Sequence, residues 1–91
     1  MSDLNKLIKA KVKEGKVIMG YGEVLKLLKT QKLKKVVYAN NLPADKIKMI
    51  EHNSKISKTD IEEYQGNGMD LGLVCGKPFS VGVIAIKGSE K

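Results

Sequence analysis

The amino-acid sequence predicts an α/β fold, a three-layer α/β/α sandwich with a small four-stranded mixed sheet and helices on both faces. Three observations predict it. Segments with helical spacing of apolar residues alternate with short runs rich in β-branched residues, in the order αβαβαβαβ. Glycine or proline lies at several of the boundaries between them. The length, 91 residues, suits one hydrophobic core and is too short for two, so we expect a single domain over residues 1–91.

The first three elements lie before residue 30. In the first helix the apolar side chains have helical spacing, and they are Leu4, Leu7, Ile8 and Val12. Ser2 or Asp3 can cap this helix, and Gly15 ends it. Residues 16–19 then predict the first strand. The second helix has a stripe of apolar side chains that we expect to be buried, those of Val24, Leu25, Leu27 and Leu28.

The middle of the chain predicts a strand, a helix and a second strand. Residues 34–39, "KKVVYA", contain a continuous apolar run, which is typical of a central strand covered on both faces. Pro43 suits the first turn of a third helix over residues 44–56. The inward positions of that helix are expected to be Ile47, Ile50, Asn53 and Ile56. The alternating segment "TDIEEY" predicts an edge strand with Ile61 inward and its acidic side chains in water.

The last part of the chain predicts a glycine-rich turn, a short helix, a loop and a strand. We expect the short helix to bury three side chains, those of Met69, Leu73 and Val74. Gly76 ends this helix, and a loop follows that reaches Pro78 and Phe79. The apolar run "VGVIAI" supplies the final strand, and residues 87–91 are expected to form a frayed tail.

The charge is distributed unevenly along the chain. The formal net charge is +7, and all 17 basic residues are lysine. Residues 1–35 hold ten lysines and three acids, whereas residues 36–91 hold seven of each. Such a concentration favours a polyanionic partner, because lysines near phosphates release condensed counterions on binding. The alternative is a lysine-rich surface that only keeps the protein in solution.

Several classes of function have no supporting residues in this sequence. No apolar run approaches the ~20 residues that a membrane span needs, and the first residues lack the apolar centre of a secretory signal. We therefore expect a cytoplasmic protein. Cys75 and His52 are each alone, so the sequence has no zinc-ligand set and predicts a buried thiol and a surface imidazole. Without a nucleophile, a metal set or paired acids, we expect no enzyme activity and no cofactor.

Gly20 and Gly22 flank Tyr21 where the second helix begins after the first strand. The first turn of a helix presents unpaired N–H groups, and glycines allow another backbone to approach them closely. The segment is not a phosphate-binding loop, because the ending Gly-Lys-Ser/Thr is absent. In the alternative reading, Gly20 only supplies a backbone dihedral that other residues avoid.

Two further loops are candidates for nucleic-acid recognition. Asn40 and Asn41 follow the second strand, and an asparagine amide can form two hydrogen bonds with a base edge. Their alternative role is to form a turn or a helix cap before Pro43. Lys77 precedes Phe79 in the loop before the last strand, where the ring can stack on an unpaired nucleotide or belong to the core.

With these loops identified, the chain resembles the archaeal and eukaryotic large-subunit family of ribosomal protein thirty, within the superfamily of kink-turn RNA-binding ribosomal proteins. Three blocks carry the resemblance, in this order and at similar spacing: "GKVIMGYGEVLKLLK", "KKVVYANNLP" and "DLGLVCGKPFSVGVIAI". The resemblance covers about residues 4–86. It implies a structural protein of the large ribosomal subunit that binds a kink-turn, an RNA internal loop where sheared G·A pairs adjoin a sharp bend.

The resemblance also implies roles for individual residues. The helix entrance at residues 20–23 would dock on the sheared pairs, Asn41 would contact a guanine edge, and Phe79 would pack on a splayed nucleotide. Glu23 would accept from guanine amino groups, and Lys26 would meet phosphate or a base acceptor. The complete predicted RNA-binding set is Met19, Gly20, Tyr21, Gly22, Glu23, Lys26, Asn40, Asn41, Lys77, Pro78, Phe79 and Ser80.

The implied partners are rRNA and other large-subunit ribosomal proteins, with no membrane and no small-molecule substrate, and the free protein is expected to be a monomer in the cytoplasm or on the ribosome. The N-terminal lysines would position the protein on phosphate. The sequence departs from the family at Gly22, where relatives usually carry a polar or basic side chain. Two alternatives stay open: a sibling that binds kink-turns in RNA-guided modification or tRNA-processing particles, and a non-catalytic protein-interaction module.

Overall fold

Helices and strands alternate along the chain in the computed structural model, which describes residues 3–30 and 33–87. The helices are α1 (Asp3–Lys13), α2 (Tyr21–Thr30), α3 (Ala44–Ser57) and α4 (Gly68–Val74). The strands are β1 (Val17–Met19), β2 (Leu33–Tyr38), β3 (Asp60–Glu63) and β4 (Val83–Lys87). All eight predicted elements are present, with bounds within two or three residues of those predicted.

The strands form one mixed sheet in the order β1-β4-β2-β3. β4 pairs antiparallel with both β1 and β2, while β2 pairs in parallel with β3. Three strands therefore run in one direction, and their carboxyl ends meet the amino end of β4. Four connections lie at this end of the sheet, residues 20–23, 39–43, 64–68 and 76–82. We call these four connections the loop end.

Helices cover both faces of the sheet, so the predicted α/β/α sandwich is confirmed. On one face, α1 and α4 pack through Ile8, Leu71 and Cys75 on Val37, Ile84 and Ile86. On the other face, α2 and α3 contribute further buried side chains, which pack on the remaining faces of β2 and β4; the cluster contains Val24, Leu28, Leu33, Val36, Ile50, Val83 and Ala85. The central strand β2 alternates its buried side chains between these two clusters, as a strand covered on both faces does.

The short helix α4 turns a different face inward from the predicted one. Met69 and Leu73 are 51% and 64% exposed, so the prediction that they are buried is wrong, while Val74 is half-buried. The inward positions are Gly68, Leu71, Gly72 and Cys75. Two of these are glycines, and glycine carries no apolar signal. The apolar pattern of the sequence therefore did not reveal which face of α4 packs closely against the rest of the protein.

Helix α3 also deviates from its predicted stripe. Ile56 is 69% exposed, whereas Ser54 is buried and Ser57 is half-buried. Asn53 is buried as predicted, and its amide donates to the carbonyl oxygen of Met49 at 2.8 Å. The buried stripe thus continues through polar residues, which apolar spacing does not reveal. Asn53 and Ser57 donate to carbonyl groups of the helix, whereas the buried hydroxyl of Ser54 has no hydrogen-bond partner among the described residues.

The remaining predictions concern the chain ends. The suggested capping residue Ser2 and residues 88–91 of the suggested tail lie outside the described residues. Lys87, assigned to the tail, instead ends β4, and its backbone N–H donates to the carbonyl oxygen of Lys16 at 2.9 Å.

Candidate nucleic-acid interface

Backbone hydrogen bonds join three connections of the loop end to one another and the fourth, residues 20–23, to the first residue of β4. Ala39 donates to the carbonyl of Gly82 at 2.8 Å, and Asn40 donates to that of Gly66 at 2.9 Å. Two further bonds run from Gly20 to Val83 at 3.0 Å and from Val81 to Gly68 at 2.9 Å. Each connection is thereby held by at least one neighbour, so side chains from distant parts of the sequence share one surface.

The entrance of α2 depends on the backbone conformation of Gly20. Its φ is +110°, a value that L side chains rarely adopt, so the dihedral role considered for Gly20 is present. The carbonyl of Gly20 accepts from the N–H of Val24 at 3.0 Å. The N–H groups of residues 21–23 precede any acceptor within the helix and carry its positive dipole end. They can donate to a partner that approaches this surface.

The side chains at this entrance leave the backbone accessible. Gly22 and Glu23 are exposed, and a Cβ placed at Gly22 would have no heavy atom within 4 Å. Tyr21 is half-buried, and its ring lies 4.9 Å from the Nζ of Lys46. Lys26 is exposed one turn further along α2. This open arrangement fits the close approach that the two glycines predict.

Asn41 has a structural hydrogen bond as well as an exposed position. Its Oδ1 accepts from the backbone N–H of Gly68, the first residue of α4, at 3.1 Å. Asn67 caps the same helix, and its Oδ1 accepts from the N–H of Asp70 at 3.0 Å. Since the oxygen of Asn41 is used in this way, its Nδ2 is the group that remains to donate to an external acceptor. Asn40 is exposed, and α3 has no side-chain cap, so neither asparagine caps that helix.

The loop carrying Phe79 packs tightly against α4 through its backbone. The N–H of Lys77 donates to the carbonyl of Gly72 at 2.9 Å, and a Cβ built at Gly72 would overlap the carbonyl oxygen of Phe79. The Phe79 side chain is 54% exposed, so it does not belong to the core. The backbone is held in place while the ring stays available, which is the arrangement that stacking on a base needs.

The structure thus brings the predicted residues to one end of the sandwich, with Lys26 at its margin. Three members are half-buried and lie partly beneath this surface: Met19, Gly20 and Tyr21. The exposed members are Gly22, Glu23, Lys26, Asn40, Asn41, Lys77, Pro78, Phe79 and Ser80. The glycine-rich turn at Gly66, Asn67 and Gly68 was predicted, but not that it lies at this surface beside the candidate residues.

The loop end is not basic. Within its four connections the exposed charged side chains are Glu23 and Lys77, whose charges cancel. The N-terminal lysines were expected to position the protein on phosphate, and the structure does not place all of them at the loop end. Several lie elsewhere, because Lys16 precedes β1 and Lys34 is near the start of β2, at the opposite edge of the sheet. The exposed groups of the loop end are therefore hydrogen-bonding groups and the Phe79 ring, without net positive charge.

Other chemistry has little support in the described part of the chain. No group of three or more His, Cys, Asp or Glu side chains there could hold a metal ion. Cys75 is buried as predicted, and burial raises the pKa of its thiol above the usual value. His52 is exposed, also as predicted. Among residues 3–30 and 33–87, no helix has the length and apolar character needed to cross a membrane.

Two solved structures share the fold. A protein of unknown function from Bacillus halodurans C superposes with a TM-score of 0.88 at 17% identity, covering 98% of this chain and 88% of the other. The Giardia lamblia 15.5kD RNA binding protein superposes with a TM-score of 0.79 at 22% identity, covering 96% of this chain and 72% of the other. At these identities the likeness establishes the class of fold alone.

The sequence comparisons establish the family. The chain belongs to the Ribosomal protein L7Ae/L30e/S12e/Gadd45 family, whose profile matches residues 2–91. Its relatives include two proteins named large ribosomal subunit protein eL30. The one from Saccharolobus solfataricus is 42% identical over 87% of this chain and 73% of its own length. The one from Branchiostoma belcheri is 38% identical over 94% of this chain and 75% of its own length.

A third relative with the same name, from Methanothermobacter thermautotrophicus, is 39% identical over 93% of this chain and 87% of its own length. The resemblance to the large-subunit branch of the family, drawn from the three sequence blocks, is therefore confirmed. The named relatives are ribosomal proteins, which are not enzymes, so the prediction of a chain without catalytic function is confirmed as well.

Proposed function

We propose that the chain is a structural protein of the large ribosomal subunit that binds a kink-turn in ribosomal RNA through its loop end. The observation that carries the proposal is that backbone hydrogen bonds hold four connections together at one end of the sheet, three of them bonded to one another and the fourth to the start of β4. Three kinds of recognition group share that end: helix N–H donors, an asparagine amide and an exposed aromatic ring. Such groups can contact phosphate or base edges and a splayed nucleotide in one bent RNA.

The hydrogen-bond donors of the loop end suit the acceptors that an RNA helix presents when its major groove is opened. Guanine exposes N7 and O6 as acceptors on its major-groove edge, and the Nδ2 of Asn41 is a donor whose orientation is set by the bond to Gly68. Glu23 is an acceptor and suits an amino group instead. Regular A-form RNA has a deep, narrow major groove that side chains cannot read. A sharp bend that opens this groove would therefore be needed for these groups to reach base edges.

The names of related proteins support the assembly proposed here. Relatives at about 40% identity are called large ribosomal subunit proteins, and a structural neighbour is called an RNA binding protein. We propose that this chain likewise works on the cytoplasmic ribosome, with rRNA and other large-subunit proteins as partners, and that it is a monomer when free.

The decisive experiment compares two RNAs that differ only in the bend. The protein is titrated with a kink-turn RNA and with the same duplex without its bulge, at one salt concentration. We expect clear preference for the kink-turn, by at least tenfold. Equal affinity for the two RNAs would contradict the proposed mode of recognition.

A second measurement addresses the assembly. The tagged protein is expressed in a cell of a related organism, and its bound RNA is sequenced after crosslinking. Recovery of one large-subunit rRNA site supports the ribosomal assignment. Recovery of small guide RNAs or tRNA precursors would instead assign the chain to a sibling particle.

A further inference from the structure

The end of the sheet opposite the loop end carries lysines on three adjacent strands. Lys16 directly precedes β1, Lys34 is the second residue of β2, and Lys87 is the last residue of β4. Their mutual position follows from the pairing, because the N–H of Lys87 donates to the carbonyl of Lys16 at 2.9 Å and Lys87 lies opposite Leu33. Strands in a sheet are about 4.8 Å apart, so the three backbones lie within about 10 Å of one another.

Two helices add exposed lysines at the same end. Helix α1 ends at Lys13, shortly before β1 begins, and Lys29 lies in the last turn of α2, shortly before β2 begins. We call the five residues Lys13, Lys16, Lys29, Lys34 and Lys87 the lysine cluster. Within the described residues none of the five forms an ion pair, whereas other lysines nearby do.

Acidic side chains near the lysine cluster do not neutralise it. Glu14 pairs with Lys11 at 3.5 Å, and Glu62 pairs with Lys35 at 2.7 Å, so both acids already have a cation. Asp60 begins β3 opposite Lys35 and lowers the net charge of this end by one. An excess of positive charge remains after these acids are counted.

Favourable interaction with helix dipoles explains the positions of only some of the lysines in the lysine cluster. Cations in the last turn of a helix interact favourably with its negative dipole end, and Lys13 and Lys29 are placed for this. The other three members lie at strand ends, where no comparable dipole exists. Local stabilisation of the fold therefore leaves their concentration at one end unexplained.

Distance separates the lysine cluster from the loop end. The six residues of β2 span about 20 Å at a rise of about 3.3 Å per residue. The Debye length at physiological salt is about 8 Å, so exposed charges this far apart are largely screened from each other. RNA docked at the loop end would gain little from these lysines.

We propose that the lysine cluster is a second RNA contact, which binds the phosphate backbone of a segment distinct from the one at the loop end. One chain then joins two RNA segments, reading a bend at one end and holding a backbone without sequence preference at the other. Lysine suits this task as a point charge for phosphate. The choice of RNA as the polyanion rests on the proposed function, while the charge distribution does not.

The first test measures how salt weakens binding to a short, unbulged RNA duplex. Three lysines are replaced together, Lys16→Gln, Lys34→Gln and Lys87→Gln. A matched variant makes the same charge change on helix faces, at the exposed residues Lys6, Lys9 and Lys48. Each lost phosphate contact lowers the slope of log K against log salt by about 1, so the cluster variant is expected to lose about 2 to 3.

The helix-face variant is expected to change this slope by less than half as much. Equal losses in both variants would mean that the charge acts diffusely, and the inference would be wrong. Thermal unfolding of both variants verifies folding. If the protein does not prefer the kink-turn, the proposed function is wrong, but the comparison of salt slopes still tests the second contact. If the protein prefers the kink-turn and the two variants have equal salt slopes, only the second contact is wrong.

The second test asks whether two RNAs bind at once. A labelled duplex is added to an equimolar complex of protein and kink-turn RNA, and the products are weighed by native mass spectrometry. We expect a ternary complex that the cluster variant forms at least tenfold more weakly. Release of one RNA by the other would contradict two separate contacts. Cluster-dependent binding to anionic lipid vesicles without binding to the duplex would overturn the assignment to RNA.

Discussion

The side-chain oxygen of Asn41 accepts a hydrogen bond from the backbone N–H of Gly68 at 3.1 Å, joining the connection after β2 to the start of α4. This N–H is one of the unpaired donors at a helix start, so the bond contributes to the stability of the fold. It also orients the amide, because a donor must face the oxygen. Asn41 is exposed, so its Nδ2 group remains as the donor for the proposed RNA contact.

Replacement of Asn41 by aspartate separates these two roles. Asn41→Asp retains an oxygen that accepts from Gly68 and removes the NH2 donor. We expect the free energy of unfolding to stay within about 0.5 kcal/mol of the wild type, because a carboxylate near a helix N-terminus is favourable. Affinity for a kink-turn RNA is expected to fall by about 1 to 3 kcal/mol, the value of one good base contact.

A matched control isolates the lost donor from the added negative charge. Gln65→Glu adds the same charge at another exposed position of the loop end and removes no predicted contact. Fluorescence anisotropy with kink-turn RNA compares the two variants. A loss for Gln65→Glu as large as that for Asn41→Asp would attribute the effect to repulsion alone.

Phe79 is expected to affect binding far more than stability. Its side chain is 54% exposed, so Phe79→Ala removes little buried area, and we expect a small change in thermal unfolding. Stacking of a base on an aromatic side chain contributes about 1 to 3 kcal/mol, so RNA affinity is expected to fall about 5-fold to 150-fold. Phe79→Tyr retains a ring and is expected to retain most of the affinity.

Leu73→Ala is the control for general loss of exposed apolar surface near that loop, since Leu73 is 64% exposed on α4. Its RNA affinity is expected to change less than twofold. Wild-type affinity of Phe79→Ala would remove the ring from the proposed interface.

Gly72 and Gly22 are expected to respond to alanine with opposite signs. A Cβ at Gly72 would overlap the carbonyl oxygen of Phe79, so Gly72→Ala must displace α4 or the loop, at about 1 to 3 kcal/mol. A Cβ at Gly22 meets no heavy atom within 4 Å, and the residue lies in a helix. Gly22→Ala is expected to stabilise the fold by up to about 1 kcal/mol.

Urea unfolding followed by far-ultraviolet circular dichroism measures both changes. Ordinary surface substitutions change the free energy of unfolding by about 0.5 kcal/mol. If the free energies of unfolding of the two variants differed by no more than this, the close packing of α4 on the loop would be contradicted.

The buried thiol of Cys75 predicts a loss of stability at alkaline pH. Burial raises the pKa of this thiol, and the nearby charge of Lys77 opposes the shift. The folded protein therefore holds the thiol proton to higher pH than the unfolded chain does. Its contribution is fully present below the pKa of an exposed thiol, about 8.5, and is lost as pH rises through the higher pKa of the folded state.

Comparison with Cys75→Ala isolates this contribution, because other groups that ionise at alkaline pH are present in both proteins. The difference in free energy of unfolding, wild type minus variant, is expected to decrease steadily from pH 8 to pH 10.5. A difference that is independent of pH would show that the thiol ionises equally easily in both states.

Periodicity and composition by themselves determined the order of all eight elements and the class of fold. Leu4, Ile8, Val24 and Leu28 repeat at helical spacing, and residues 36–39 form an apolar run with two β-branched residues. These signals are local, because a helix or strand shows its own period whatever it packs against. The candidate residues at positions 20–23, 41 and 79 were also identifiable, from glycine spacing and from the three blocks shared with a known family.

Tertiary structure alone decided which parts meet. The parallel pairing of β2 with β3 brings Asn41 to Gly68, and the pairing of β4 between β1 and β2 places the lysine cluster at the opposite end from Phe79. It also decided that Gly72, rather than Leu73, faces inward. Pairing and helix rotation depend on contacts between residues distant in sequence, and glycine at a close approach carries no apolar pattern. The physical reason is that packing is settled by the space available between elements, which no single element encodes.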